Sequence, residues 1–192
     1  MNETVLATLG ITSGIINLIA SIPYFIDIFR GNTKPERATW WMWFALGTVG
    51  FFGQVAGGAR WSLVLAASSI VVAGATALLS IKYGYGKFHL RDGAALVMTV
   101  FGIALSVVYS SPLIAVATVL VIEAVAGGLT IYKTWYAPLT ENIASWSIST
   151  IGVTCGLLAV GDYHPTIFLL PLANFLINVL MVMTILYRRS KV

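Results

Sequence analysis

Residues 38–46 read ATWWMWFAL and residues 144–152 read ASWSISTIG, and each stretch begins an apolar run. The two motifs Ala-Thr-Trp and Ala-Ser-Trp lie about 106 residues apart. Continued in both directions without a gap, this register pairs Asn17 with Glu123, Pro23 with Leu129, Ser68 with Asn174 and Lys82 with Arg188. Few positions are identical, but the pattern of hydropathy and charge matches. The sequence therefore predicts one three-helix unit that occurs twice.

The composition is typical of a membrane protein. Hydrophobic residues make up 58% of the chain and charged residues 9%, with a mean hydropathy of +0.90, unlike the usage of soluble domains. Apolar runs long enough to cross about 30 Å of hydrocarbon as helices recur along the whole length, without the alternation of barrel strands. The predicted spans are 5–29, 39–56, 61–82, 93–109, 113–135, 145–161 and 165–187, of which the fourth and sixth are short.

The basic residues predict the orientation. Every Lys and Arg except Arg60 follows span one, three, five or seven, so these cations fall on one side of the membrane. Because cytoplasmic loops are enriched in Lys and Arg, we expect the N-terminus outside and the C-terminus in the cytoplasm. These cations also explain the basic pI without a nucleic-acid partner, and they favour contact with anionic lipid at the cytoplasmic face.

The orientation also explains the odd number of spans. A three-span unit ends on the side opposite its start, yet both units place their first basic loop inside, so span four must invert the chain between them. The predicted fold is an all-α polytopic membrane protein with seven transmembrane helices in a 3+1+3 parallel-repeat arrangement. Its parts are a first repeat over 1–84, an inverting linker helix over 85–111 and a second repeat over 112–192.

Short motifs in both units carry a family resemblance. Pro23-Tyr24 precedes a basic loop that leads to Trp40, and residues 129–133 lead through Pro138 and Glu141 to Trp146. With the 3+1+3 plan, these motifs make nearly the whole chain resemble the PQ-loop and SWEET-like superfamily, in its seven-helix bacterial form. The chain departs from the family pattern at Tyr24, where Gln is usual, and at Leu129, where a second Pro would stand.

The resemblance implies a multi-pass transporter of the cell membrane. Members of the family move small solutes, often sugars, by alternating access through a pocket between the two bundles. An Asn on the third helix of each repeat contacts the substrate; the matching positions here are Asn174 or Asn178 in repeat two, but Ser68 and Val72 in repeat one. Two complete repeats would form one pathway within a monomer.

Glu123 is the only acidic residue well inside a predicted span. An ionised carboxylate at that depth is costly in lipid, so it should face a partner or a wet interior. Glu123, Gly127 and Thr130 share one helical face, and Ser13, Asn17, Ser21 and Tyr24 form the equivalent face of span one. Glu123 is therefore a candidate for substrate contact or proton coupling, and the alternative is a neutral acid that hydrogen-bonds another helix.

Several other residues are candidates for binding or movement. Four polar side chains could bind a hydroxylated or amide-bearing solute, or could form hydrogen bonds with neighbouring helices. They are Asn17, Ser68, and the pair Asn174 and Asn178, which lie one helical turn apart. Pro23 and Pro171 interrupt their helices and are candidate hinges, as are Gly127 and Gly128, which could instead pack closely. Asp27, close to Arg30, is a candidate gate or topology salt bridge, and Tyr24 lies beside the first hinge. Gln54 suits packing or a vestibule.

Other sequence features narrow the function. An aromatic belt at the cytoplasmic interface, with stacking on a ligand as the alternative, fits Trp40, Trp41, Trp43, Trp135 and Tyr136. No His, Cys or carboxylate cluster suggests an enzyme, a metal or a cofactor. We expect a transporter of a small polar solute, sugar-like or otherwise hydroxylated or amide-bearing. The alternatives are a seven-helix receptor or sensor and a non-transporting membrane scaffold.

Overall fold

The computed structural model describes residues 2–109, 112–161 and 163–191, and their regular structure is entirely helical. One turn of 3₁₀ helix, Pro138–Thr140, lies between the fifth and sixth helices. The predicted domain boundary at residue 111 lies outside the described residues. In these residues the α-helices are α1 Glu3–Phe29, α2 Arg37–Ala56, α3 Leu63–Tyr83, α4 Leu90–Tyr109, α5 Pro112–Tyr136, α6 Ile143–Leu158 and α7 Pro165–Arg189.

The lengths and apolar character of the helices identify a membrane protein. About twenty apolar residues are needed to cross the hydrocarbon layer. Four segments among the described residues are long and apolar enough: Glu3–Phe29, Leu63–Tyr83, Ala117–Tyr136 and Ile167–Arg189. The apolar stretches Asp92–Ala104 and Ile143–Leu158 are shorter.

Side-chain caps explain where three helices begin. The Asn2 side-chain oxygen accepts a hydrogen bond from the Thr4 backbone N–H at the start of α1. At the start of α2, the Glu36 carboxylate accepts a hydrogen bond from the Thr39 backbone N–H at 2.7 Å. At the start of α6, the Asn142 side-chain oxygen accepts one from the Ser145 backbone N–H at 2.8 Å. Each cap satisfies a backbone donor that the first turn leaves unpaired.

Six helices form a ring in the order α1, α3, α2, α5, α7 and α6, with α4 beside it. We divide the ring into a first group, α1 to α3, and a second group, α5 to α7. In the first group α3 packs against both α1 and α2, and in the second α7 packs against both α5 and α6. The groups meet where α1 packs on α6 and α2 on α5, and α4 lies against α2 and α5. Gly152 permits the close approach of α6 to α1, because a Cβ there would lie 3.2 Å from the Ser13 carbonyl oxygen.

Hydrogen bonds join the loops at one end of the bundle, which we call the basic end. The Arg37 guanidinium donates to the carbonyls of Gly84, Tyr85 and Gly86, and so connects the start of α2 to the loop after α3. The Lys34 backbone N–H donates to Thr140, and Arg189 donates to the Glu141 carbonyl. At the opposite end, Glu3 and Arg60 form an exposed ion pair at 3.1 Å.

Candidate functional site

A cavity of about 150 Å³ lies between the two groups of helices. Its walls come from α1, α2, α3, α5, α6 and α7, together with Ser62 just before α3. Five of the residues predicted from the sequence to bind substrate or bend a helix line it: Asn17, Glu123, Pro171, Asn174 and Asn178. The structure therefore brings together side chains that are more than 150 residues apart in the sequence.

Glu123 supplies the acidic group of the cavity. It lies near the middle of α5 with 3% of its surface exposed, and the Trp43 indole of α2 is its polar neighbour. The Trp43 N–H makes no hydrogen bond of good geometry among the described residues. Glu123, Gly127 and Thr130 are all buried, as their shared helical face predicts. A carboxyl group in this position can receive a proton or a cationic group.

Asn17 lies across the cavity on α1 and is held by α3. Its side-chain nitrogen donates to the Ser68 hydroxyl at 3.0 Å and to the Ser69 hydroxyl at 3.3 Å. Ser68 donates in turn to the Leu65 carbonyl and does not line the cavity, whereas Ser69 does. The structure thus places Ser68 behind Asn17, where it orients the amide.

The two asparagines of α7 act as a pair. The Asn178 side-chain nitrogen donates to the Asn174 side-chain oxygen at 3.0 Å and to the Asn174 backbone carbonyl at 2.9 Å. These bonds fix the orientation of the Asn178 amide. Its own side-chain oxygen is buried without a hydrogen-bond partner.

Tryptophans form much of the cavity wall, which favours the ligand-stacking alternative over the aromatic belt for those on α2. Trp40, Trp43 and Trp146 line the cavity, with ring centroids 5.1 Å apart for Trp40 and Trp43 and 6.2 Å apart for Trp43 and Trp146. The expected aromatic belt is therefore wrong for Trp40 and Trp43. Trp135 and Tyr136 do lie on the exposed surface. The signal in the sequence was the i, i+3 spacing of Trp40 and Trp43, which places both on one face of α2.

Five polar atoms on lining residues are buried and have no hydrogen-bond partner in the part of the chain that the structure describes. Buried polar groups are normally hydrogen-bonded. The free donors are two indole N–H groups, and the free acceptors are two amide oxygens; a hydroxyl can act as either. The atoms are Trp40 Nε1, Trp43 Nε1, Gln54 Oε1, Asn178 Oδ1 and Ser62 Oγ.

A buried polar cluster lies behind the tryptophans at the basic end. Lys133 Nζ lies 2.5 Å from Glu141 Oε1, and both side chains are almost fully buried. The second Glu141 oxygen accepts a hydrogen bond from the Trp146 indole at 2.9 Å. Tyr24 packs its ring against Trp40 at 5.5 Å. From the sequence, Lys133 had been counted only as a loop cation.

The predicted hinge and gate residues occupy different environments. α1 continues through Pro23 and α7 through Pro171. A Cβ on Gly127 would meet the Ile177 side chain at 2.7 Å, whereas one on Gly128 would meet nothing within 4 Å. The Asp27 carboxylate accepts a hydrogen bond from Asn142, the cap of α6, and this contact joins α1 to the second group.

The described residues contain no group of three or more His, Cys, Asp or Glu side chains that could hold a metal ion. No protein-family model, curated protein or solved structure matches this chain. Fold and site together define an all-helical membrane protein with a cavity between its helices, lined mainly by aliphatic and aromatic side chains with a few amides and one acid.

Proposed function

We propose that this protein is a membrane transporter that moves a small polar solute by alternating access through the cavity. The observation that carries the proposal is that the cavity is lined by matching positions of the two sequence units. Five pairs of lining residues are separated by the repeat interval: Asn17 and Glu123, Trp40 and Trp146, Trp43 and Ser149, Leu65 and Pro171, and Val72 and Asn178.

The helix packing supports a 3+1+3 parallel repeat. In each repeat the third helix packs on the first two: α3 on α1 and α2, and α7 on α5 and α6. Between the repeats, the first helix of each contacts the second helix of the other, α1 with α6 and α5 with α2. The caps Glu36 and Asn142 are also one repeat interval apart, and each accepts from the third residue after it. This arrangement supports kinship with the PQ-loop and SWEET-like superfamily.

The proposed topology has seven crossings, with the basic end in the cytoplasm. The loops that carry most of the cations are hydrogen-bonded to one another at that end, as Lys34 with Thr140 and Arg37 with Gly84 illustrate. The Glu3–Arg60 pair joins the N-terminus to the loop after α2, which supports placing both on the outer side. A location in the cell membrane, with anionic lipid at the cytoplasmic face, follows from this orientation.

Alternating access requires that the two groups separate at one end while they close at the other. At the basic end they are joined by the Asp27–Asn142 hydrogen bond and by the loop contact of Lys34 with Thr140. We assign these contacts to a cytoplasmic gate. Pro23 and Pro171 each remove one backbone hydrogen bond from a helix that must bend. Both groups belong to one chain, so a monomer contains a complete pathway.

Two neighbouring alanines on α3 provide a direct test. Ala66 lines the cavity, whereas Ala67 is exposed on the outer surface of the bundle. Ala66→Leu should fill part of the cavity and reduce solute uptake into proteoliposomes at least about tenfold, since the added branched side chain has no free space elsewhere. Ala67→Leu adds the same atoms on the outer surface and should leave uptake unchanged.

The uptake assay should use a panel of sugars, polyols, amines and amino acids, with and without a pH gradient. If both variants transport as the unmodified protein does, the cavity is not the pathway. If the unmodified protein moves no solute but is stabilised by one, a receptor or sensor is favoured. If Glu123 links transport to protons, Glu123→Gln should abolish the effect of the pH gradient.

A further inference from the structure

We propose that the cavity takes a small organic cation, a solute with one ammonium group. This inference rests on the proposed function and names its substrate class. It follows from the combination of a buried acid, an aromatic wall and unpaired acceptor atoms around one limited volume.

The charge of the cavity comes from Glu123. Among the lining residues that the structure describes, it is the only acid or base. The nearest candidate for a counter-ion on α5, Lys133, is already paired with Glu141 at 2.5 Å. A buried carboxylate without a cation nearby is unfavourable. A cationic solute would supply the missing charge, and a neutral sugar would not.

The tryptophans provide a second preference for a cation. Trp40, Trp43 and Trp146 border the same cavity as Glu123. Trp43 meets both of its neighbours edge to face, with interplanar angles of 84° and 61°, so neighbouring indole planes are steeply inclined to each other. Indole faces attract ammonium groups more strongly than other aromatic rings do. A tryptophan wall next to a carboxylate is thus complementary to an ammonium group.

The free polar atoms indicate the rest of the solute. Gln54 Oε1 and Asn178 Oδ1 are buried acceptors without partners, and they suit the N–H groups of a primary ammonium or the hydroxyl of an alcohol. The indole N–H groups of Trp40 and Trp43 have Tyr24 and Glu123 as polar neighbours but form no hydrogen bond of good geometry, so they can donate to a hydroxyl oxygen. An amino alcohol satisfies both sets.

The volume limits the size of the solute. A cavity of about 150 Å³ holds a ring of six carbon atoms such as benzene. The cavity has about this volume, so a solute of roughly six or seven non-hydrogen atoms fits it. Choline and ethanolamine lie within this limit, and a disaccharide exceeds it.

The test compares choline with 3,3-dimethylbutan-1-ol, which has the same shape but carries carbon in place of the charged nitrogen. Binding to the purified full-length protein is measured by calorimetry and by quenching of tryptophan fluorescence. We expect choline to bind at least about tenfold more tightly than the neutral alcohol. Glu123→Gln should remove this preference, while Glu3→Gln, which alters an exposed carboxylate at the far end of the bundle, should keep it.

Each outcome supports or overturns the inference. Equal binding of choline and the neutral alcohol by the unmodified protein overturns it, whether or not Glu123→Gln folds. Uptake of a neutral polyol such as inositol without choline binding overturns it as well, yet leaves the transport proposal intact. Choline binding without choline uptake supports the cation site and contradicts the transport proposal. If neither choline nor any other solute of the uptake panel is bound or moved, both proposals fail.

Discussion

Glu141 joins three segments of the chain at the basic end. One of its carboxylate oxygens pairs with Lys133 of α5, and the other accepts from the Trp146 indole of α6. Its backbone carbonyl accepts from Arg189 at the end of α7. Because Trp146 also lines the cavity, Glu141 connects the cavity wall to the basic end of the second group.

Removing either partner of the buried ion pair should strongly destabilise the protein. Glu141→Gln or Lys133→Met leaves the other charge buried and unpaired, which typically costs about 3–5 kcal/mol. The double variant should lose less stability than the sum of the two single losses, since no unpaired charge remains. Thermal unfolding in detergent measures all three variants.

The exposed Glu3–Arg60 pair provides the control for this experiment. Its side chains are 68% and 76% exposed, and exposed pairs contribute little to stability. Glu3→Gln should therefore shift the unfolding temperature hardly at all. Additive losses in the Glu141 and Lys133 variants would contradict the assignment of a coupled buried pair.

At the scale of the elements, two adjacent glycines on α5 have opposite surroundings. Gly127 faces α7, where a Cβ would lie 2.7 Å from Ile177 Cδ1 and 3.2 Å from its Cγ2. Gly128 is exposed and has open space around it. The contact of Gly127 favours close packing over the hinge role that the sequence left as an alternative.

Alanine at these two positions should have opposite effects. Gly127→Ala overpacks the contact of α5 with α7, which costs about 1–3 kcal/mol against a gain of up to about 1 kcal/mol in helix propensity. Gly128→Ala gains helix propensity without overpacking a contact, so the unfolding temperature of this variant should rise slightly. Adding Ile177→Val, which removes the nearest methyl group, should restore part of the stability of Gly127→Ala. Equal stability of both alanine variants would rule out the packing role.

The positions of the helices could be predicted from the sequence, and the directions of several side chains could not. Each helix begins and ends within three residues of its predicted span, because continuous hydropathy and the flanking polar residues determine the ends. The buried faces of α1 and α5 followed from the i, i+4 spacing of polar residues such as Asn17 and Glu123. The inward direction of Trp40 depends on how α2 packs against α3 and α5. The sequence alone does not reveal this packing, because an amphipathic ring suits a membrane interface equally well.

At the scale of the whole molecule, the two groups are alike in packing but differ in the residues that they bring to the cavity. Asn17 in the first group corresponds to Glu123 in the second, because the two are one repeat interval apart in the sequence. Val72 corresponds to Asn178 in the same way. The acid and the asparagine pair therefore belong to the second group, and the first contributes two amides, Asn17 and Gln54, and two of the tryptophans. Such an asymmetric site can hold a solute in a single orientation.

The proposed topology is tested by labelling cysteines from one side of the membrane. Cys155 is the single native cysteine, so a Cys155→Ser background allows one cysteine at a time to be placed at exposed Tyr163, Lys87 or Lys191. With seven crossings and the basic end inside, a membrane-impermeant maleimide should label Tyr163→Cys in intact cells. It should label Lys87→Cys and Lys191→Cys only after the cells are opened.

The pattern of labelling distinguishes the possible errors. If Tyr163→Cys and Lys87→Cys are labelled from the same side, one of the three helices between them does not cross, and the shorter α4 and α6 are the first to suspect. If all three sites react from the sides opposite to those expected, the count of crossings stands and the orientation is wrong. That second result would mean that the cations at the basic end do not set the orientation of the protein, against the usual excess of Lys and Arg in cytoplasmic loops.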